Sequence, residues 1–259
     1  MTNTRPPVAL IGAGPGDPEL ITRKAARLLQ AADVVFHDAL IDRGVLELAR
    51  PGARLVAVGK RGGRASTPQL AIHEQLIRAW RAGLRVARLK GGDPFIFGRG
   101  GEECMALRAA GIPYEVVPGV TSGSAAATYA GVPLTYRAMS QSVLFLTGRR
   151  ARGTDAIDGV AVARAADTLV IYMGVESLPI LCAELLRAGR SPSTPALAVE
   201  WATINQREVA APLAEFVGAC GHAEIKSPAI IVIGDVVALR DTLAFAPAPT
   251  ARGVCCAAS

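Results

Sequence analysis

One stretch of the chain gathers the residues that could do chemistry: residues 88–101, with the sequence RLKGGDPFIFGRGG. Its five glycines allow the backbone to approach a ligand closely and to adopt positive φ angles. Pro94 fixes the chain where the carboxylate of Asp93 emerges. Arg99 and Glu102 follow where a helix is predicted to begin, three residues apart and so on one helical face. Because the stretch follows a predicted buried strand at 85–89, it predicts a binding loop.

Further polar residues follow the other predicted strands in the same half of the chain. Asp38 ends the second strand, Lys60 follows the third, and Thr121 and Ser122 follow the fifth. In a doubly wound sheet the carboxyl ends of the strands line one crevice. Each residue taken alone is better explained as a helix cap or a solvated loop group than as part of a site. Together with Asp93 they predict a site at that edge of the sheet.

Short apolar runs alternate with helical patterns, and these elements must position the polar residues. In the first half of the chain the alternation predicts a parallel sheet with right-handed crossovers. The rhythm breaks at 133–138 and then resumes. We therefore expect an α/β protein with two α/β domains, at 6–134 and 138–245, and a disordered tail rich in Pro and Ala at 246–259. The predicted strands lie at 8–11, 33–37, 54–58, 85–89, 114–117, 142–146, 168–172, 195–201 and 228–233.

The composition narrows the classes of partner. The 259 residues carry a net charge of +6, but aromatic residues make up only 5% and the basic residues are scattered. A small polyanionic substrate explains this charge as well as nucleic acid does, and we expect no nucleic-acid partner. The five cysteines form no CxxC pair, so no metal site is expected. No apolar run is long enough to span a bilayer and no secretory signal is present, which predicts a cytoplasmic protein without a membrane partner.

The segment GAGPGDP at 12–18 only partly matches the dinucleotide-binding fingerprint. Asp17 stands where the third glycine belongs. Pro15 removes a backbone N–H from the loop that would hold a pyrophosphate. The segment therefore disfavours a dinucleotide oxidoreductase. It favours an adenosine-like ligand without phosphates, or a loop that faces something else. We also predict a helix at 19–30 with Asp17 as its cap.

Several segments resemble the tetrapyrrole methylase family, in family order from residue 8 to residue 240. The most specific is RLKGGDPFIFGRGGEE, and the others are VALIGAGPGDPELIT, FHDALI, VGKRGG, VPGVTSGSAAATYAGVPLT, YMG and SPAIIVIGDVV. The similarity is greatest to the members that methylate uroporphyrinogen III. It implies S-adenosyl-L-methionine folded into a cleft between two α/β domains, S-adenosyl-L-homocysteine as the by-product, and a homodimer. It also implies methylation at carbons 2 and 7 to give precorrin-2, which feeds sirohaem, cobalamin or haem d1.

The resemblance assigns residue roles as well. It implies acid–base roles for Asp38 and Lys60 and substrate contacts for Arg99, Glu102 and Arg137. An ion pair on a solvated surface is the alternative explanation for Arg99 and Glu102. The implied cofactor contacts are Pro15, Gly91, Gly92, Asp93, Ile96, Thr121, Ser122, Met173 and Ala202.

The expected chemistry needs no metal, because an electron-rich pyrrole carbon can attack a sulfonium methyl group directly. The protein must align the two carbons, accept the proton lost afterwards and pair with substrate carboxylates. The chain departs from the family pattern at Ala65, Tyr136, Arg149 and Ala202. Two alternatives therefore stay open: a later precorrin methylase and a non-catalytic nucleotide-binding module.

Overall fold

The computed structural model describes residues 5–59, 68–149 and 159–245. Lys60, Ala65 and the tail at 246–259 lie outside the described residues. The strands are β1 (Val8–Gly12), β2 (Val34–His37), β3 (Arg54–Ala57), β4 (Val86–Lys90), β5 (Tyr114–Val117), β6 (Val143–Thr147), β7 (Thr168–Tyr172), β8 (Pro195–Glu200), β9 (Arg207–Pro212) and β10 (Ala229–Ile233). The α-helices are α1 (Arg23–Ala31), α2 (Arg43–Leu46), α3 (Gln69–Arg81), α4 (Gly100–Ala109), α5 (Ser122–Tyr129), α6 (Gly159–Ala165), α7 (Leu178–Arg187), α8 (Phe216–His222) and α9 (Arg240–Leu243).

The first sheet is parallel, with the strand order β3-β2-β4-β1-β5. All five residues of β1 and all five of β4 are buried, as expected for central strands covered by helices on both faces. Gly12 and Lys90 pair at the carboxyl ends of these neighbours. The loops that follow β1, β4 and β5 therefore emerge side by side.

The second sheet has the order β6-β7-β10-β8-β9 and is mixed. β6 and β7 are parallel, but β10 runs antiparallel to both β7 and β8, and β9 is antiparallel to β8. The sequence patterns do not predict β9, because this edge strand is half exposed and its apolar residues are small. Two packed α/β layers confirm the predicted fold class.

One helix that the sequence patterns do not predict, α5, packs on the second sheet. Ala126 and Ala127 on α5 are fully buried and pack in one cluster with Val170 of β7 and Val232 of β10. α5 follows the first sheet in the chain but covers the second. The small side chains on this helix permit the close approach.

The predicted helix at 19–30 divides into two elements, which corrects the assignment of Asp17 as its cap. Asp17 instead caps a 3₁₀ turn at Pro18–Leu20, where its Oδ1 accepts a hydrogen bond from the Glu19 N–H. α1 begins after Thr22, whose Oγ1 accepts from the Ala25 N–H. In the part of the chain that the structure describes, no helix is long and apolar enough to cross a membrane.

Candidate functional site

A cavity of about 1070 Å³ lies between the carboxyl edge of the first sheet and the second sheet. Its walls come from the loops after β1, β2, β4 and β5 on one side and after β6, β7 and β8 on the other. This volume is at the upper end for small-molecule sites. Residues of the second half that line it include Gly148, Arg149, Tyr172, Met173, Trp201 and Ala202.

The glycine loops of the first sheet are joined to each other at the cavity. The Gly14 N–H donates to Gly92 O across 3.2 Å, and the Gly92 N–H donates to Gly14 O across 2.8 Å. Nearby, a Cβ on Gly12 would lie only 2.5 Å from the Gly119 nitrogen, so these backbones approach as closely as glycine allows. The glycines of these loops therefore serve both the packing of the loops and the shape of the cavity.

The carboxylate of Asp93 holds two of these loops in place. Its Oδ1 accepts from the Phe95 N–H across 2.8 Å, and its Oδ2 accepts from the Gly119 N–H across 3.1 Å. Asp93 thereby links the loop after β4 to the loop after β5. Both oxygens already have backbone partners, so the observed role of this side chain is to shape the loops.

Four residues of the cavity wall have left-handed backbone conformations although none is glycine. The φ angles are 52° for Phe97, 60° for Arg99, 54° for Met173 and 49° for Trp201. Such conformations cost about 1–3 kcal/mol each and persist where the surrounding structure enforces them. All four lie on the wall of one cavity, and functional sites are where such backbone conformations commonly cluster.

Charged side chains form the floor of the cavity. Asp38 and Lys90 line it together with Arg88, and Arg88 pairs with both Asp38 and the fully buried Glu103. Burial, with a further contribution from the neighbouring Arg88 charge, lowers the pKa of the Lys90 ammonium. Lys90 donates to Glu103 Oε1 across 3.2 Å. The carboxylate of Asp38 and the cations of Arg88 and Lys90 therefore lie together on the floor of the cavity.

Tyr172 joins the second sheet to the N-terminus of α5 at the cavity wall. Its hydroxyl lies 2.7 Å from Thr121 Oγ1 and accepts a hydrogen bond from the Gly123 N–H across 2.9 Å. Burial raises the pKa of the Tyr172 phenol. Thr121 is the N-cap of α5 and Ser122 is its first residue, so Tyr172 contacts the residues on either side of Ser122.

The structure brings most of the predicted site residues to this one cavity. Glu102 lies instead on an adjoining concave surface with Phe95 and Phe97, where it forms a two-contact ion pair with Arg99. The cavity does not reach Arg137, which is exposed, and Lys60 lies outside the described residues. The predicted residues that line the cavity are Pro15, Asp38, Gly91, Gly92, Asp93, Ile96, Arg99, Thr121, Ser122, Met173 and Ala202.

Sequence reasoning missed Arg88, Lys90, Glu103 and Tyr172. A signal for the first two exists, because an arginine and a lysine two residues apart in an otherwise apolar buried strand require partners. No local signal separates Glu103 from its neighbour Glu102, although the first is buried and the second is exposed. No group of side chains that could hold a metal ion occurs among the residues described.

The chain belongs to the family of tetrapyrrole (corrin/porphyrin) methylases, whose model matches residues 7–217. This confirms the resemblance inferred from the motifs. Two solved structures share the architecture. A uroporphyrin-III C-methyl transferase from Thermus thermophilus, complexed with S-adenosyl homocysteine, has a TM-score of 0.78 and 46% identity; the match covers 90% of this chain and 100% of that one. A cobalt precorrin-4 methyltransferase has a TM-score of 0.79 and 30% identity, covering 89% and 95%.

Curated bacterial relatives are similar at the sequence level. The siroheme synthase of Pseudomonas fluorescens is 48% identical over 239 residues, which is 92% of this chain and 52% of that protein. The siroheme synthase of Chromobacterium violaceum is 50% identical over 239 residues, covering 92% and 51%. The chain thus spans about half the length of the curated relatives it matches.

Proposed function

We propose that this protein is an S-adenosyl-L-methionine-dependent C-methyltransferase that converts uroporphyrinogen III to precorrin-2 by methylation at carbons 2 and 7. The observation that carries the proposal is the cavity between the sheets, lined by the glycine loop, in a chain 46% identical to a solved uroporphyrin-III C-methyl transferase.

The cavity fits the proposed cofactor on its own geometry. A Cβ added to Gly91 would have no neighbour closer than Ile41 at 4.0 Å, so the backbone of this loop is open to a ligand. Pro15 offers no N–H for a phosphate, which agrees with a nucleoside ligand that carries none. The proposed contacts are Pro15, Gly91, Gly92, Asp93, Ile96, Thr121, Ser122, Met173 and Ala202. When bound, S-adenosyl-L-methionine supplies an electrophilic methyl group.

The residues of this chain would contribute orientation, charge and a proton acceptor. The cavity walls would hold the pyrrole carbon in line with the methyl group, and such alignment supplies several kcal/mol. We assign proton acceptance to Asp38, with Lys60 as the second acid–base candidate. The carboxylates of the substrate need cations, and Arg99 and Arg149 on the cavity wall offer guanidinium groups for them. Arg137 and Glu102 remain proposed substrate contacts.

A later precorrin methylase is the second candidate, since the cobalt precorrin-4 methyltransferase has the same fold. The two are separated by incubation with labelled S-adenosyl-L-methionine and uroporphyrinogen III, followed by mass spectrometry of the tetrapyrrole. Two added methyl groups support the main proposal. Transfer only to a later precorrin supports the second candidate. Cofactor binding without transfer to any tetrapyrrole supports the non-catalytic alternative.

We further infer a cytoplasmic homodimer, with a domain boundary at 134–138. Leu70 on α3 and Met105 on α4 are each 74% exposed, and these helices pack side by side, so their outer surface is a suitable subunit contact. Light scattering after size-exclusion chromatography gives the oligomeric state. A monomer at all concentrations contradicts the dimer.

A further inference from the structure

Four charged side chains from three parts of the fold meet under the cavity. Arg88 and Lys90 stand two residues apart on β4 and therefore on one face of the sheet. Glu103 reaches them from α4, and Asp38 follows β2. Arg88 Nε donates to Glu103 Oε1 across 3.0 Å, and Arg88 Nη2 donates to Asp38 Oδ1 across 2.5 Å. Lys90 Nζ donates to the same Glu103 oxygen.

Stability alone explains this cluster poorly. The side chains of Arg88 and Lys90 are each 3% exposed, and that of Glu103 is fully buried. Buried ion pairs are costly to desolvate and can often be replaced by apolar side chains without loss of stability. Glu103 Oε2 has no hydrogen-bond partner among the described residues, although the carboxylate is buried. The cluster is better explained if it serves to hold one particular carboxylate in a fixed position at the cavity.

That carboxylate is Asp38, whose side chain is 32% exposed and lines the cavity. The guanidinium of Arg88 uses all its nitrogens, because Nη1 donates to Leu89 O across 3.0 Å. The group is planar, so the contact of Glu103 with Nε sets the direction in which Nη2 points at Asp38. The second oxygen of Asp38 lies 3.4 Å from the Gly91 N–H, on the glycine loop.

We propose that Glu103 and Arg88 are positioning residues that hold the Asp38 carboxylate in the orientation needed to accept a proton from the methylated tetrapyrrole. The inference rests on the proposed function. In that reaction the pyrrole carbon forms a bond to the methyl carbon as the methyl–sulfur bond breaks, and sulfur keeps that electron pair. The positive charge passes to the tetrapyrrole. A proton then leaves for the Asp38 carboxylate, and its bonding electrons stay on the ring system.

A double-mutant cycle tests this coupling. Arg88→Lys keeps the charge but cannot contact Glu103 and Asp38 with one fixed fork. It is expected to lower kcat about 10- to 100-fold, as a misplaced catalytic group does. Binding of S-adenosyl-L-homocysteine should be unchanged by calorimetry. In an Asp38→Asn background, which itself loses turnover, Arg88→Lys should cause no further loss. Glu103→Gln, which retains an acceptor oxygen, should give a smaller loss with the same dependence on Asp38.

Arg85→Lys is the matched control. Arg85 precedes β4 and forms its own two-contact pair with Asp33, but it does not line the cavity. The kcat of the Arg85→Lys variant should equal that of the wild type. Equal losses from Arg88→Lys with and without Asp38 would overturn the inference in favour of a structural role. Wild-type turnover by Asp38→Asn would overturn it too.

A second measurement does not depend on turnover. In ¹⁵N-arginine-labelled protein, the side-chain N–H resonances of Arg88 should be protected from exchange and should shift in both Asp38→Asn and Glu103→Gln. An unchanged Arg88 spectrum in Glu103→Gln contradicts the positioning role. If the wild type methylates no tetrapyrrole, the proposed function fails, and with it the proton step. The spectra then still report whether Glu103 orients Arg88 toward Asp38.

Discussion

The backbone N–H of Asp17 donates to Thr203 Oγ1 across 3.1 Å, and this bond joins the loop after β1 to the loop after β8. The Asp17 carboxylate is held in turn, because its Oδ2 accepts from the Tyr129 hydroxyl across 3.0 Å. The two sheets are therefore tied together beside the cavity, next to Trp201 and Ala202 on its wall.

Thr203→Ala removes the acceptor and leaves the partly buried Asp17 N–H without its partner. We expect the free energy of binding S-adenosyl-L-homocysteine to weaken by about 1 kcal/mol, which corresponds to roughly fivefold weaker binding. Isothermal titration calorimetry measures it. Thr203→Ser keeps the hydroxyl and should bind as the wild type does. Equal affinity of the alanine variant would show that the bond does not support the cavity.

Gly91 separates ligand contact from backbone strain more cleanly than Gly92 does. Gly92 has a φ of 64°, and a Cβ there would lie 3.2 Å from Ser122 Oγ, so substitution strains the fold whether or not a ligand binds. Gly91→Ala meets only Ile41 at 4.0 Å. We expect its melting temperature to be unchanged and its affinity for S-adenosyl-L-methionine to fall at least about tenfold, because the methyl group would enter ligand space. Gly218→Ala, in open space on α8, is the control for affinity. Unchanged affinity of Gly91→Ala would remove this loop from the cofactor site.

Arg99 lines the cavity, and its guanidinium donates to the Glu102 carboxylate through contacts of 2.8 and 2.6 Å. The hydrogen bond from Arg99 lowers the pKa of the Glu102 carboxyl, so this pair is ionised at neutral pH. Arg99→Lys keeps the charge but loses the planar fork. We expect KM for uroporphyrinogen III to rise several-fold, which corresponds to about 1 kcal/mol of lost binding free energy. The affinity for the cofactor should be retained. Steady-state kinetics measures the change, and Arg187→Lys on the exposed end of α7 is the control. A wild-type KM would favour the surface ion-pair explanation.

Tyr172→Phe should loosen α5 at its N-terminus. The substitution leaves the buried Gly123 N–H without its acceptor, which costs about 1–3 kcal/mol. We expect urea unfolding to show a loss of free energy of unfolding in that range, together with weaker cofactor binding because Thr121 and Ser122 start this helix. Phe145→Leu, beside Tyr172 in the same cluster, tests packing without this hydrogen bond. A stability loss without any change in affinity would separate Tyr172 from the site.

The ionisation of Asp33 makes the stability of the first sheet depend on pH. A side-chain hydrogen bond from Arg85, with backbone and charge contributions, lowers its pKa from 3.8 to about 2. Because the folded-state pKa lies below the unfolded one, the stabilisation is present above about pH 4 and is lost as the pH falls toward 2. After solvent screening it is on the order of 1 kcal/mol. Urea titrations of wild type and Asp33→Asn should differ at pH 5 and converge near pH 2. A constant difference would contradict this role.

Local patterns were sufficient for much of the protein. Apolar runs ending in glycine or a polar residue indicated β1, β2 and β4, because buried parallel strands need continuous apolar sequence. The glycine stretch and Asp38 could be placed at the carboxyl edge, since parallel strands end on the same side. The specific motifs indicated the family. Whether Asp38 or Lys60 accepts the proton remains a prediction.

The tertiary structure decided which of these residues work together. The bond between Asp17 and Thr203 joins positions 186 residues apart, and no local spacing predicts such a pair. Glu103 is buried against Arg88 and Lys90, and Glu102 is exposed, only because α4 packs against the first sheet. The antiparallel β10 and the packing of α5 on the second sheet likewise depend on which apolar surfaces meet. Side-chain chemistry and backbone propensity are local, but burial and partnership arise from contacts between distant segments.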